Sequence, residues 1–589
     1  MSNHLRLKGA MASLTMATIL SGCGGVDTVN GALIPACDPG TDVVGTWKVI
    51  ANNITSIPDS DQLNFFSYNQ PSVNEEGLVV FRARAKSASG QEGDIQRGIY
   101  AADACAFKTS VYAIANAGST MVPEPNNNAA TFNEFPSIPR IDLGSSLIAT
   151  RGQSAPVWTY TDSLGASTKV GTSGLFVKMA SGLATGVSLL GNVIDFAHMQ
   201  VPDASKTGIK FDQFPGSPSA SDGKYLVFKG NYTDGISKTG VFFRDLKTVN
   251  SPVIAIADSN TVIPPSATNL NNTASIMFGS TAPPSAAKGK VVFVGLDNEQ
   301  APSMGGIYMS VIAHKPELDA LVQIGDPVPQ NIDPTLASKF THIGEGLAFD
   351  GRYVAFWAAW ATSPSNPTGQ PGPGMHRANL ACPTDGDKDL KAACLAGSDK
   401  DGGGLPSGFT AVDVPDNQGI FVVDTTTKVT LMVARADFNN TAGAFNGFMY
   451  WTYSGSTQGG DAEPPHWRSS AFAAVDGSRG VIFKGSPNTP MSIGNSGIYG
   501  ATYLGGSVGS IFKVVTTGDL ISTLDPSAPA GSPITSVSIE REALRNGWLA
   551  LTASSADWAG AYVSYFPKVF HLGASLPDQP SISSLILGN

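Results

Sequence analysis

Gly77-Leu78-Val79-Val80-Phe81, followed by Gly98-Ile99-Tyr100, is a pair that returns seven times along the chain. The first member recurs from Gly144 to Ala149, Gly223 to Phe228, Gly289 to Phe293, Gly351 to Phe356, Gly480 to Phe483 and Gly547 to Leu551. The second recurs as Gly174-Leu175-Phe176, Gly240-Val241-Phe242, Gly306-Ile307-Tyr308, Gly419-Ile420-Phe421, Gly497-Ile498-Tyr499 and Gly560-Ala561-Tyr562. Self-similarity at such a period marks a repeat architecture. Two further runs accompany each pair. One lies near Pro-Ser, as at Pro71-Ser72, Pro136-Ser137, Pro218-Ser219 and Pro284-Ser285; the other is a short β-branched run such as Val111 to Ala115 or Pro252 to Ala257. All are bounded by Gly, Pro, Asp or Asn, the signature of strands between turns. Four antiparallel strands repeated radially describe a propeller blade. The expectation is an all-β, seven-bladed β-propeller of four-stranded antiparallel blades, with an array of β-sandwiches as the rival.

Composition agrees. The chain has 589 residues, 65 glycines and 39 prolines, and only 14% charged residues, which fits many short strands joined by turns. Its net charge of −10 lacks the basic field that a nucleic-acid surface needs, so no nucleic-acid partner is expected.

Residues 1–22 have the form of an export signal. His4, Arg6 and Lys8 precede the apolar run from Ala10 to Leu20, which is too short to span a bilayer. It ends in Leu20-Ser21-Gly22-Cys23, which resembles the lipobox of bacterial lipoproteins. The resemblance implies acylation of Cys23, residues 23–45 as a tether, and a location on the bacterial envelope, at the outer membrane or cell surface. The membrane would be a partner through the lipid. The propeller is expected over 46–577, with repeats near 65–125, 130–200, 211–264, 277–329, 341–437, 445–520 and 535–577, and a tail at 578–589. The strand Trp47 to Asn52 reads as a fourth strand lacking its first three, suited to complete the last blade. Lys568 to Leu572 competes for that place.

Asn74-Glu75-Glu76-Gly77 through Phe81-Arg82-Ala83 resembles a tandem repeat of secreted bacterial proteins with the pattern Asn-x-x-Gly-x-x-x-Phe-x-Ala followed by Gly-Ile-Phe or Gly-Ile-Tyr. The other repeats put Ser221, Ala286 or Phe349 in place of the asparagine. The resemblance implies a propeller-like fold and carries no catalytic residues. The four further cysteines, Cys37, Cys105, Cys382 and Cys394, suggest two disulfides in an exported chain. Cys382 with Cys394 would close one loop and Cys37 with Cys105 would pin the N-terminal segment, but three pairings are open.

Two long departures from the repeat are candidates for function, as long loops on a rigid scaffold often are. Blade 5 has an insertion between Trp357 and Gln418, and blade 6 has one from Asn446 to Arg468, expected ahead of its first strand. In the second, Tyr450, Trp451, Tyr453 and Trp467 offer stacking surface while Asp461, Glu463 and His466 offer hydrogen bonds for a ligand. Strand parity puts both insertions on one face, side by side. In the first, Asp385, Asp387 and Asp389 could supply oxygen ligands to Ca²⁺, although Leu390 and Ala396 stand where an EF-hand has glycine and glutamate. No other cofactor is expected. Gly505-Gly506-Ser507-Val508-Gly509 has the letters of a nucleophile elbow, but it falls between two strands and reads as a hairpin turn. The leading functional reading is a binding or interaction module with a protein or glycan ligand. The alternatives are an enzyme acting on a polysaccharide or other polymer, with Asp461, Glu463 and His466 as acid–base groups, and a structural envelope protein. Replacing Cys23 with alanine is expected to release the protein from the membrane fraction, checked by fractionation of expressing cells; unchanged retention would refute the lipid anchor.

Overall fold

The computed structural model describes residues 46–566, with breaks at 59, 61, 88–94, 107–108, 155–157, 171–172, 266–274, 300–301, 330–337, 362–374, 382–408, 416, 438–444, 448–451, 454–466, 469–472, 478, 488–495 and 505. It also describes the short ribbon Thr28–Val29 with Ala32–Leu33. For strand residues in 28–29, 32–33, 87, 375–381, 409–415, 437, 445–447, 452–453, 467–468, 486–487 and 504 the backbone alone is described.

Alternating apolar runs and glycine turns produce seven antiparallel sheets of one plan. In blade 1 the strands Leu63–Tyr68, Leu78–Ser87, Gln96–Asp103 and Val111–Asn116 follow one another outward in chain order. Blades 2 to 6 repeat this order, and blade 7 repeats it for its three inner strands. Among the described residues the helical content is two 3-10 turns, Ile194–Met199 and Ile521–Thr523. No described helix is long and apolar enough to cross a membrane. The molecule is a seven-bladed β-propeller.

The repeated motif now has a physical cause. The aromatic of the third strand sits directly opposite the second-strand phenylalanine, as in Phe81 with Tyr100, Phe228 with Phe242 and Phe293 with Tyr308. A third ring from the first strand meets the pair edge-on. Phe65 lies 4.8 Å from Tyr100, Phe211 5.0 Å from Phe242 and Phe278 5.2 Å from Tyr308, ring centre to ring centre. Such edge-to-face contacts add about 0.5–1.5 kcal/mol beyond area burial. The glycine two residues before the aromatic lies on the same face of the strand. The ring folds back over it: a Cβ on Gly98 would stand 2.6 Å from the Tyr100 hydroxyl, and one on Gly560 2.4 Å from that of Tyr562. In all seven blades the pairing of third and fourth strands slips by one residue next to this aromatic. The bulge adds twist where the ring needs room.

The first strand is not continuous. It is broken into two pieces that pair with opposite halves of the second strand, as Leu63–Tyr68 and Ser72–Val73 do with Leu78–Ser87. The second pieces, Ser72–Val73, Arg140–Ile141, Ser219–Ser221, Ser285–Ala287, Ala348–Phe349, Ala473–Asp476 and Leu544–Arg545, each lie against the next and form a closed inner ring. In blade 2 this piece falls at Arg140 rather than at Pro136-Ser137, because Pro139 takes the place that Pro71 has in blade 1.

Each inner piece ends in a turn that reaches the following blade. Asn74 Oδ1 accepts the Leu78 N–H within its own turn, while Nδ2 donates to the Ser145 carbonyl of blade 2. Asp142 accepts the Gly223 N–H, Asp350 that of Gly477 and Asp476 that of Gly547, at 2.7–2.9 Å. Ser221 Oγ accepts the Gly289 N–H at 3.1 Å. The equivalents of Asn74 in blades 4 and 5 are therefore Ala287 and Asp350, one residue beyond the Ala286 and Phe349 that a fixed distance to the strand phenylalanine selects, because their turns are shorter.

The N-terminal strand Trp47–Asn52 pairs with Ala559–Tyr565 and is the outermost strand of blade 7. No strand intervenes, so the described part of the last blade takes its fourth strand from the N-terminus; residues 568–572 lie outside the described residues. Lys48 Nζ donates to the Ala104 and Ala106 carbonyls of blade 1. At the other end of the strand, Asn52 Nδ2 and Trp558 Nε1 both donate to Asp525 Oδ2, at 2.9 and 2.8 Å. Asp525 is fully buried. Asp525→Ala strands these two donors and removes the bonds that the Ser527 N–H and hydroxyl make to Oδ1, and is expected to cost about 1–3 kcal/mol. Asp557→Ala, at an exposed carboxylate, should stay within about 0.5 kcal/mol. The denaturant midpoint of the two variants checks this.

Candidate functional site

A cleft of about 630 Å³ opens where the last blade meets the first. One wall is the first strand of blade 1 from Phe66 onward, continuing to Asn69 and Gln70, with Lys86 from the second strand. The other wall is Ser536 and Ser538 from blade 7 and the turn 552–560 that joins its second and third strands. The bottom of the motif explains the opening. Blade 7 has Ile534 in the first strand, where blades 1, 2, 4 and 5 place a phenylalanine, and the small polar Ser536 and Ser538 follow it along the wall. Turns between second and third strands, and connections from one blade to the next, lie on one face of the ring, and the cleft opens among them.

The walls are held from behind. Trp558 lines the cleft half-buried, and its indole is fixed by the bond to Asp525. Asn53 Oδ1 accepts the Ala559 N–H at 2.8 Å, tying the turn to the N-terminal strand's end. Ser536 and Ser554 share a hydrogen bond of 2.8 Å between hydroxyls. Tyr68 lines the cleft but buries its hydroxyl without a hydrogen-bond partner. Burial pushes that phenol well above its ordinary pKa, and Tyr562 and Asp525 push it the same way, so it stays protonated. The Lys86 ammonium sits 5.0 Å over the Phe66 ring, a cation–π contact at the rim. Asp557 is the one carboxylate among the described lining residues.

A second gathering of charge lies at the inner ring. Arg140, fully buried, meets Glu540 at 3.1 Å and Glu542 at 3.4 Å, and Arg541 meets Glu540 at 3.2 Å. Arg140 and Arg541 also donate to the carbonyls of Pro284 and Pro283 in blade 4. Two guanidinium groups balance two carboxylates, so the cluster joins blades 2, 4 and 7 without net charge. Desolvation, with Arg140 close by, lowers the pKa of Arg541. Among the described residues no group of three or more His, Cys, Asp or Glu is placed to hold a metal ion.

Of the residues singled out by sequence, Tyr450, Trp451, Asp461, Glu463, His466, the acids Asp385, Asp387 and Asp389, and the cysteines Cys23, Cys37, Cys382 and Cys394 lie outside the described residues. The backbones of Tyr453 and Trp467 face each other in a two-stranded ribbon, Thr452–Tyr453 with Trp467–Arg468. The blade 5 insertion forms the ribbon Met375–Ala381 with Phe409–Pro415, and its first strand lies against Thr452–Tyr453. The two insertions are therefore neighbours. The blade 6 insertion does not precede the first strand; it enters at the break between the two pieces, Phe445–Gly447 and Ala473–Asp476. Blade 2 carries a third ribbon, Trp158–Thr161 with Ser167–Val170, which the sequence reading passed over because the repeat length there is less extreme. Cys105 is disulfide-bonded. The string around Ser507 is the turn of a hairpin, with Leu504 opposite Ser507. The cleft itself was missed, since its walls are built from serine, asparagine and glutamine in turns at opposite ends of the chain.

No family model and no curated protein matches this chain. Solved structures resemble it at the level of the fold. An oligogalacturonate lyase in complex with manganese shares 9% identity at a TM-score of 0.38, over 87% of this chain and 99% of the other. The propeller domain of the trilobed protease from Pyrococcus furiosus shares 10% identity at 0.34, over 85% and 96%. A Trypanosoma rangeli sialidase in complex with the inhibitor DANA shares 8% identity at 0.29, over 90% and 60%.

Proposed function

We propose that the protein is a lipid-anchored propeller of the bacterial envelope that binds a ligand on the face carrying the interblade cleft and the inserted ribbons. The cleft carries this reading: it is polar, held by hydrogen bonds from behind, and contains one carboxylate, Asp557, where cleavage of a glycosidic bond generally uses two. Binding therefore accounts for these side chains better than polymer cleavage does. The described chain supports the same orientation. Trp47 pairs with Ser564, and Phe566 donates its N–H to the Gly547 carbonyl, so both ends of the ring leave beside the turns between first and second strands. That face is opposite the cleft. A lipid on Cys23 would hold the turn face toward the bilayer and present the cleft outward.

Single-cysteine labels on the lipidated protein in liposomes test this presentation. Leu164, exposed at the tip of the blade 2 ribbon, is on the cleft side, and Val249, exposed in a loop between third and fourth strands, is on the turn side. Quenching by lipid-borne quenchers is expected for the Val249 label and not for the Leu164 label. The reverse pattern, or equal quenching, would overturn the reading.

A further inference from the structure

We infer that the interblade cleft receives an uncharged carbohydrate segment, an inference that rests on the binding function proposed above and names its ligand class. The cleft's volume of about 630 Å³ is within the span of about 300–1,000 Å³ common for small-ligand sites. Its chemistry narrows the class. Ser67, Asn69 and Gln70 on one wall, with Ser538 and Thr552 on the other, make no side-chain hydrogen bond within the described protein. Hydroxyls and carboxamides each offer donors and acceptors. Sugar hydroxyls, which also do both, can satisfy such a set from any side. A ligand with acceptors alone would leave half of it unmatched.

Charge points the same way. Lys86 stands on the blade 1 wall and Asp557 on the blade 7 wall, one of each sign, so the cleft offers no field that favours an anion or a cation. An apolar ligand would need an apolar lining, and the large apolar surfaces here are the rings of Phe66, Tyr68 and Trp558. Lys86 covers Phe66, and Trp558 is held still by Asp525. A fixed, half-buried indole gives the flat partner that the C–H face of a pyranose stacks on, at low conformational cost.

The test uses the mature chain on an array of neutral and acidic oligosaccharides at low and high salt, followed by calorimetry with a retained neutral one. Retention of neutral oligosaccharides, unchanged by salt, is expected because no ion pair contributes. The double substitution Asn69→Ala, Gln70→Ala should weaken binding about tenfold, the loss of two modest net hydrogen bonds. Thr552→Val, which keeps the side-chain shape, should weaken it severalfold, and serves if the double variant fails to fold. Retention of acidic oligosaccharides alone, no retention at all, or binding that both variants leave unchanged would overturn the inference. The liposome labels separate the two failures: an empty array with the cleft still facing outward sinks the ligand class and spares the presentation.

Discussion

A carboxylate, hydroxyl or amide at the end of one inner strand, holding a backbone N–H or carbonyl of the following blade, is the interaction on which this ring depends. Asp142, Ser221, Asp350 and Asp476 each accept an N–H from the neighbouring blade, and Asn74 donates to the Ser145 carbonyl of blade 2. The turns that supply these groups are tight, so their N–H groups have no ladder partner and would be left unpaired without the latch. A buried backbone group without a partner costs about as much as a lost hydrogen bond. The latch therefore satisfies the turn and sets the angle between blades in one contact. Repeated around the ring, it makes each blade's position depend on its neighbour's, which is how nearest-neighbour contacts give a repeat protein its stability.

The ion cluster at the inner ring breaks that repetition. Six blades place a small residue at the position of Ser72: Ser219, Ser285, Ala348, Ala474 and Ala543 complete the set. Blade 2 has Arg140, and it reaches blade 7's Glu540 and blade 4's Pro284 carbonyl. Contacts of this kind cross the ring rather than follow it. Buried ion pairs add little net stability because desolvation offsets attraction, yet losing one partner leaves an uncompensated charge and costs about 3–5 kcal/mol. The cluster thus discriminates between the correct assembly and any ring with a blade missing or out of order. Local repeats alone cannot make that distinction.

Sequence alone carried the architecture because the aromatic-over-glycine contact is local. Gly98 and Tyr100 are two residues apart; that spacing is written in all seven repeats, and the ring crowds its glycine in blades 1, 2, 3, 5 and 7. The N-terminal strand was legible for the same reason, since Trp47 to Asn52 looks like Val253 to Asp258 of a complete repeat. The first strand's break was not legible, because each piece is too short to show alternation. Nor was the cleft. Gln70 and Trp558 are brought together only when the ring closes, and serine, asparagine and threonine in turns read as turn chemistry until two such walls face each other. The long insertions drew attention through their length and aromatic content, and their ribbons do meet; their side chains at Tyr453 and Trp467 are beyond the described residues.

Closure by the N-terminal strand also sets a schedule for the chain. Trp47 is made among the first residues and its partner Ser564 among the last. The entropic cost of joining them grows only slowly with the intervening length, by about 0.6 kcal/mol per doubling, so distance is no obstacle at equilibrium. Time is another matter. Until the seventh blade emerges, Trp47–Asn52 has no sheet to join, and blade 7 then presents the bare edge of Ala559–Tyr565 until that strand arrives. An unpaired edge is a template for another chain, and non-local pairings are slow to form. Two half-made copies could exchange their first strands, each closing the other. A propeller fastened this way is secure once complete and most vulnerable just before completion, so the waiting N-terminal segment is where a holding factor, or a tether that keeps neighbouring chains apart, would have its largest effect.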